Sequence, residues 1–225
     1  MIRAVVFDLD GLMFDTEALF FRVSSQALAA RGKAFTSETM QSLIGRRADD
    51  AVRVWEALAA PEETAEDLLA DVRQRFFAVI DTAVHPTPGL FVLLDHLARR
   101  SLPLAVATSS ARAYADRLLV RHGLVDRFAF ILAAEDVTRG KPDPEIYRLA
   151  ATRFAVAAGS MLVLEDSPAG LASARGAGAI AVGVPHEHSP AHALSGADLV
   201  VARLDDPTLL KRIESPDGET SPNDR

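Results

Sequence analysis

The chain contains no cysteine, which removes disulfides, thiolate metal sites and cysteine nucleophiles together. It has no apolar run of membrane-spanning length, since even residues 90–107 are broken by Asp95, His96, Arg99 and Arg100. Positive charge is short as well. Against 31 Asp and Glu stand 24 Lys and Arg, a formal net charge of −7, which argues against a nucleic-acid or anionic-membrane surface. Lysine is scarcest: only Lys33, Lys141 and Lys211 occur, and arginine supplies almost all the remaining positive charge. Met1-Ile2-Arg3 leads straight into an apolar stretch, so no signal peptide is expected. These absences point to a soluble, cytoplasmic protein, a monomer by default, with neither nucleic-acid nor membrane partners. Its 225 residues suffice for one large domain or two small ones.

What is present is organised around Ala4-Val5-Val6-Phe7-Asp8-Leu9-Asp10-Gly11. An apolar run without polar alternation reads as a strand buried on both faces. It ends in two carboxylates two residues apart, where an open α/β sheet places its ligands. Such a pair is tolerable with a cation between the acids or with one of them protonated. Read alone, Asp8-x-Asp10-Gly11 is equally a solvated turn.

From about residue 16 to 85 the pattern is helical throughout, with a long helix expected to start at Pro61-Glu62-Glu63 and an apolar stripe at Leu68 and Leu69, Val72, Phe76, and Val79 and Ile80. After His85-Pro86-Thr87-Pro88-Gly89, where Thr87 and Pro88 are expected to open a helix, strands and helices alternate. Strands are expected near 103–108, 128–132, 161–164, 179–182 and 199–201. This predicts an α/β fold with a doubly wound, Rossmann-like parallel sheet and an inserted helical domain. The core takes residues 1–15 and 86–214, the helical insertion 16–85, and the polar tail 215–225 is expected to be disordered.

Three strands end in chemistry: Asp8 and Asp10, Thr108 and Ser109, then Glu165 and Asp166. A parallel sheet brings these ends to one edge. Thr108-Ser109-Ser110 offers hydroxyls and free N–H groups to an anion, although plain helix capping explains the same residues. Lys141, in the stiff loop Arg139-Gly140-Lys141-Pro142-Asp143-Pro144, suggests a need for a compact point charge in a chain that otherwise uses arginine.

In order, Asp8-Leu9-Asp10-Gly11, Thr108-Ser109, Gly140-Lys141-Pro142-Asp143-Pro144 and Leu164-Glu165-Asp166-Ser167-Pro168-Ala169-Gly170 resemble the motifs of the haloacid dehalogenase-like superfamily. The helical insertion resembles its small cap, and residues 1–213 look most like the subgroup of β-phosphoglucomutase and sugar-phosphate phosphatases. The resemblance implies a Mg²⁺-dependent phosphatase acting on a small phosphorylated metabolite through an aspartyl-phosphate. It implies Asp8 as nucleophile and Asp10 as acid and then base, with Thr108, Ser109 and Lys141 around the phosphate. Asp8 and Asp166 would ligate the metal through their side chains and Asp10 through its carbonyl, with Glu165 behind them. An all-oxygen site without a nearby Cys or His suits Mg²⁺. Arg47, Ser110 and Arg112 are candidate substrate contacts; for Gly45-Arg46-Arg47 the alternative is a solvated basic turn. Thr16 and residues 86–88 would be hinges.

A mutase is the nearest rival. Phe20 stands where the mutase carries a cap histidine and cannot transfer a proton, and Ala48 stands near the place of its distal-phosphate arginine, which favours a phosphatase. Dehalogenases need no metal, and phosphonatases need a cap lysine, for which only Lys33 is on offer. A catalytically silent binding protein on the same fold is the reading of a different class. His186, His188 and His192 are expected in a solvated loop, with the site entrance as the alternative, and Trp55 in the core of the cap.

Overall fold

The computed structural model describes residues 1–43 and 48–214. Among them six strands form one parallel sheet: β1 (Ala4–Phe7), β2 (Leu104–Ala107), β3 (Phe130–Leu132), β4 (Met161–Glu165), β5 (Ile180–Gly183) and β6 (Leu199–Val200). Their order across the sheet is β3-β2-β1-β4-β5-β6, with every neighbouring pair parallel. The chain therefore builds outwards on one side of β1 and then crosses to the other. The gap beyond the ends of β1 and β4 is the topological switch point, where an open sheet leaves a crevice for ligands.

The unbroken apolar runs are explained by burial on two sides. Val5, Phe7, Val106, Leu162 and Leu164 enter one hydrophobic cluster, while Ala4, Val6, Ala105, Ala107 and Val163 enter another. Adjacent residues point to opposite faces of a strand, so both faces must be covered. Helices α5 (Leu90–Arg99), α6 (Arg112–Arg121), α7 (Glu145–Phe154) and α8 (Pro168–Gly176) precede β2, β3, β4 and β5 in turn, a short 3-10 turn joins β5 to β6, and α9 (Pro207–Glu214) follows β6.

Helices α1 (Thr16–Ala29), α2 (Ser37–Leu43), α3 (Ala48–Leu58) and α4 (Ala65–Ala83) occupy the interval between β1 and α5. Their leading and returning chain segments run side by side. Asp15 N–H donates to the His85 carbonyl (3.0 Å), Thr87 N–H to the Met13 carbonyl (2.9 Å), and Phe14 bridges Pro86.

Two helix starts differ from expectation. Helix α4 begins at Ala65 rather than Pro61, because Thr64 and Asp67 form a reciprocal capping box that satisfies both free donors. Helix α5 begins after Gly89, whose backbone is left-handed (φ 91°), and has no side-chain cap; Thr87 Oγ1 is bonded instead to the Leu12 carbonyl. Ser167 and Pro168 open α8 as their types suggest, Ser167 accepting from Gly170 N–H at 3.0 Å.

Candidate active site

Asp8 follows β1 directly, Thr108 follows β2, Glu165 closes β4 and Asp166 follows it, so the parallel register delivers all four to the switch point. Lys141 reaches the same place from the loop before α7, across a cis Lys141–Pro142 peptide. Its ammonium donates to Asp8 Oδ1, to Glu165 Oε1 (2.7 Å) and to the Ala107 carbonyl (2.9 Å). The lysine side chain is 5% exposed and that of Glu165 0%. Burial works against the lysine charge, but Asp8 and Glu165 outweigh it and hold the pKa well above the usual lysine value.

The acids remain under-compensated. Burial pushes Asp8 up, Lys141 opposes this, and Glu165, Asp166 and Asp10 push the same way as burial. Asp166 is likewise raised, by burial and then by Glu165, with Lys141 opposing. Asp8, Glu165 and Asp166 each bring a carboxylate oxygen within 4.8 Å of the others. Three buried acids facing one lysine form a donor set that a divalent cation would complete.

Glu165 has little left to offer a ligand. Its Oε1 accepts from Lys141 and from the Tyr147 hydroxyl, and its Oε2 accepts from Ser167 Oγ at 3.2 Å. The carboxyl lies against Gly170, where a Cβ would fall 1.9 Å from its carbon, so only glycine fits the start of α8. Gly11 is similarly fixed: its φ is 76°, and a Cβ there would fall 2.1 Å from Asp166 Oδ2.

Asp10 lines the same cavity and is held at both oxygens. Oδ1 accepts from the Tyr114 hydroxyl at 2.6 Å, and Oδ2 accepts from Ser110 Oγ at 2.6 Å and Thr108 Oγ1 at 3.4 Å. Tyr114 is pushed far above the ordinary phenol range by burial and then by Asp10, so it stays a donor. Ser110 therefore meets Asp10, and Thr108 Oγ1 also receives the Ser110 N–H at 3.0 Å. Ser109 lines the cavity. Arg112 does not: its guanidinium is bound to Asp136 (2.6 Å) and the Ile131 carbonyl (2.7 Å), because the end of β3 offers a carbonyl and a carboxylate together. Arg47 lies outside the described residues.

A cavity of about 480 Å³ opens above these groups. Asp8, Asp10, Lys141 and Asp166 form its floor, and Phe20, Met40, Leu43, Trp55 and Phe76 form an apolar wall. Trp55 is buried and stacks on Phe35 (centroids 5.7 Å apart), with Phe20 edge-on to it at 6.1 Å. It is core and cavity lining at once.

The histidine loop departs from the expectation of solvation. His192 is exposed, but His188 is buried and stacks on Phe21 at 5.1 Å. His186 places Nε2 3.0 Å from Asp166 Oδ2. A histidine thus does approach the acids. Because its Nδ1 accepts the His188 N–H at 3.2 Å, a neutral ring carries its proton on Nε2 and donates to Asp166. Burial lowers its pKa, which favours that neutral ring, and an N–H donor cannot ligate a metal.

Glu17 completes the rim. Burial, then Asp166, push its carboxyl up to about 7; His186 opposes this, and Asp10 and Asp15 add to it. A carboxyl raised on folding stabilises the protein fully below its unfolded pKa and less as pH rises through the folded value. In metal-free protein Glu17→Gln should therefore melt with the wild type near pH 4.5 and above it by pH 8. The gap corresponds to at most about 3 kcal/mol. Thermal melts in EDTA check this, and a gap independent of pH would contradict it.

The sequence profile of the haloacid dehalogenase-like hydrolases matches residues 5–184. Validoxylamine A 7'-phosphate phosphatase of Streptomyces hygroscopicus subsp. limoneus is 32% identical over 205 residues, covering 91% of this chain and 95% of the relative. A phosphorylated carbohydrates phosphatase of Thermotoga maritima is 29% identical, covering 88% of this chain and 93% of the relative. Among solved structures, β-phosphoglucomutase from Clostridium difficile superposes with a TM-score of 0.71 at 25% identity, covering 91% of this chain and 92% of that one.

Proposed function

The chain belongs to the haloacid dehalogenase-like hydrolase family, and we propose that within it this protein is a Mg²⁺-dependent phosphatase of a small phosphomonoester, a sugar phosphate or similar metabolite. The observation that carries this reading is the division of acids in one cavity. Asp8 lies on the Lys141 ammonium among buried carboxylates, while Asp10 stands apart, bonded to neutral hydroxyls.

Asp8 attacks phosphorus in line, and the bond to the leaving oxygen breaks as Asp10 delivers its proton to that oxygen. The resulting aspartyl-phosphate is then attacked by water, whose proton returns to Asp10 as Asp8 is released. Lys141, the Thr108 hydroxyl and the backbone at Ser109 take up charge on the equatorial oxygens. Asp8 and Asp166 would hold Mg²⁺ through their carboxylates and Asp10 through its carbonyl, with Glu165 fixing Lys141 behind them. When bound, the metal supplies two positive charges that make a phosphate dianion tolerable among these acids.

Residues 1–15 and 86–214 serve as the catalytic core and 16–85 as a cap that excludes water. Phe20 faces the cavity and has no proton to transfer, which favours hydrolysis over mutase chemistry. Arg112, committed to Asp136, is not among the substrate contacts. The test is phosphate release from p-nitrophenyl phosphate and a panel of phosphorylated metabolites, with Mg²⁺ and with EDTA. Metal-dependent release is expected; none above background overturns the reading. Conversion of β-glucose 1-phosphate that needs a bisphosphate activator and frees little phosphate would make the protein a mutase.

A further inference from the structure

We propose that Tyr114, assisted by Ser110, is a positioning residue that fixes the Asp10 carboxyl for proton exchange with the leaving-group oxygen and ties that carboxyl to helix α4. The inference rests on the phosphatase reading above and adds to it the group that aims the acid.

A carboxyl on a single-bonded side chain rotates unless both of its oxygens are held. Here Tyr114 holds Oδ1 and Ser110 holds Oδ2, each at 2.6 Å, whereas Thr108 at 3.4 Å contributes little. Each carboxyl oxygen has two acceptor sites, so one hydroxyl on each leaves room for a substrate atom. Tyr114 is the longer lever of the two. Its ring packs on Phe76 and Phe77 of α4, with centroids 6.2 and 6.0 Å away.

Beside that contact the two helices are tied by charge. Arg117 grips the Asp81 carboxylate at 2.9 and 2.8 Å, and Arg121 donates to the Asp81 carbonyl at 2.9 Å. Phe76 itself lines the cavity. The helix that walls the leaving-group space therefore packs on the residue that aims the acid. A tyrosine that merely satisfied its own buried hydroxyl would matter equally for every substrate. One that aims a proton donor matters only where the leaving group needs a proton.

Tyr114→Phe keeps the ring and removes the hydroxyl. The experiment measures kcat/KM, which covers steps up to transfer of phosphorus to Asp8, for glucose 6-phosphate and p-nitrophenyl phosphate with saturating Mg²⁺. For the sugar phosphate, whose alkoxide needs a proton, a loss of about tenfold or more is expected. For the aryl phosphate, whose leaving group departs without one, the change should stay below about threefold. Equal losses on both substrates would reduce Tyr114 to a structural role, and no loss on either would overturn the proposal. A wild-type enzyme that hydrolyses neither substrate, nor any of the metabolite panel, would sink the phosphatase reading, and this inference with it.

Discussion

Lys141→Met should abolish phosphate release and leave a folded protein that is much less stable at pH 8 than at pH 5. The ammonium is the only cation bonded to Asp8 and Glu165 among the described residues, and all three groups are nearly sealed from water. Removing one partner of a buried ion pair leaves an uncompensated charge and costs about 3–5 kcal/mol. For a chain of this length that lowers the melting temperature by roughly 10 °C. The loss of transition-state stabilisation should lower kcat by about 10³ or more.

The pH dependence separates this explanation from simple loss of packing. Asp8 is already raised by burial and by its acidic neighbours, and loss of Lys141 removes the one influence that lowers it. A group raised on folding contributes its stability below its unfolded pKa and loses it as pH rises through the folded value. At pH 5 the stranded Asp8 carboxyl takes up a proton and the variant approaches the wild type; at pH 8 it must ionise or unfold. Added Mg²⁺ should recover part of the loss by binding the native acids. Thermal melts at both pH values, with EDTA and with Mg²⁺, decide the matter. A variant within about 2 °C of wild type at pH 8 in EDTA would show that Lys141 does not hold the cluster together.

The sequence revealed most about the features that depend on strand ends. Uninterrupted apolar runs at 4–7, 104–107 and 161–164 suit strands covered on both sides, and in a parallel sheet the polar residues beyond them share an edge. Scarcity singled out Lys141. The same reasoning was available for tyrosine and would have found more: the chain has two, and Tyr147 holds Glu165 while Tyr114 holds Asp10.

Other features were hidden because their signals are not local. Arg112 lies only three residues beyond Ser109, but the Ile131 carbonyl and the Asp136 carboxylate bind its guanidinium away from the cavity. His186 and His188 looked like solvated loop residues because nothing in Pro185–His192 shows that Phe21 and Asp166 lie alongside. Helix α4 starts later than Pro61 suggests, because Pro61 is a strong helix opener in general, whereas Thr64 and Asp67 satisfy one another's backbone here. Each miss is a choice between two sound local rules that a tertiary neighbour decides.

The largest effect on catalysis is expected for Asp8→Asn, with turnover falling below detection while the fold persists. The amide retains an oxygen to accept from Lys141, and Glu165 still pairs with that lysine, so the ammonium is not stranded. What disappears is the proposed nucleophile, together with the repulsion among Asp8, Glu165, Asp166 and Asp10. Metal-free wild type loses stability as pH rises through the raised Asp8 value, because the folded state binds a proton that the unfolded chain has already released. The variant has no such proton to lose. The two should therefore melt together in acid, and the variant should equal or exceed the wild type at pH 8 in EDTA. Mg²⁺ should then stabilise the wild type more than the variant, since the variant has given up one anionic ligand. Residual turnover at wild-type rates would remove Asp8 from the nucleophile's role. A variant that melts well below wild type at every pH would show instead that the carboxylate is needed for packing, which its raised pKa argues against.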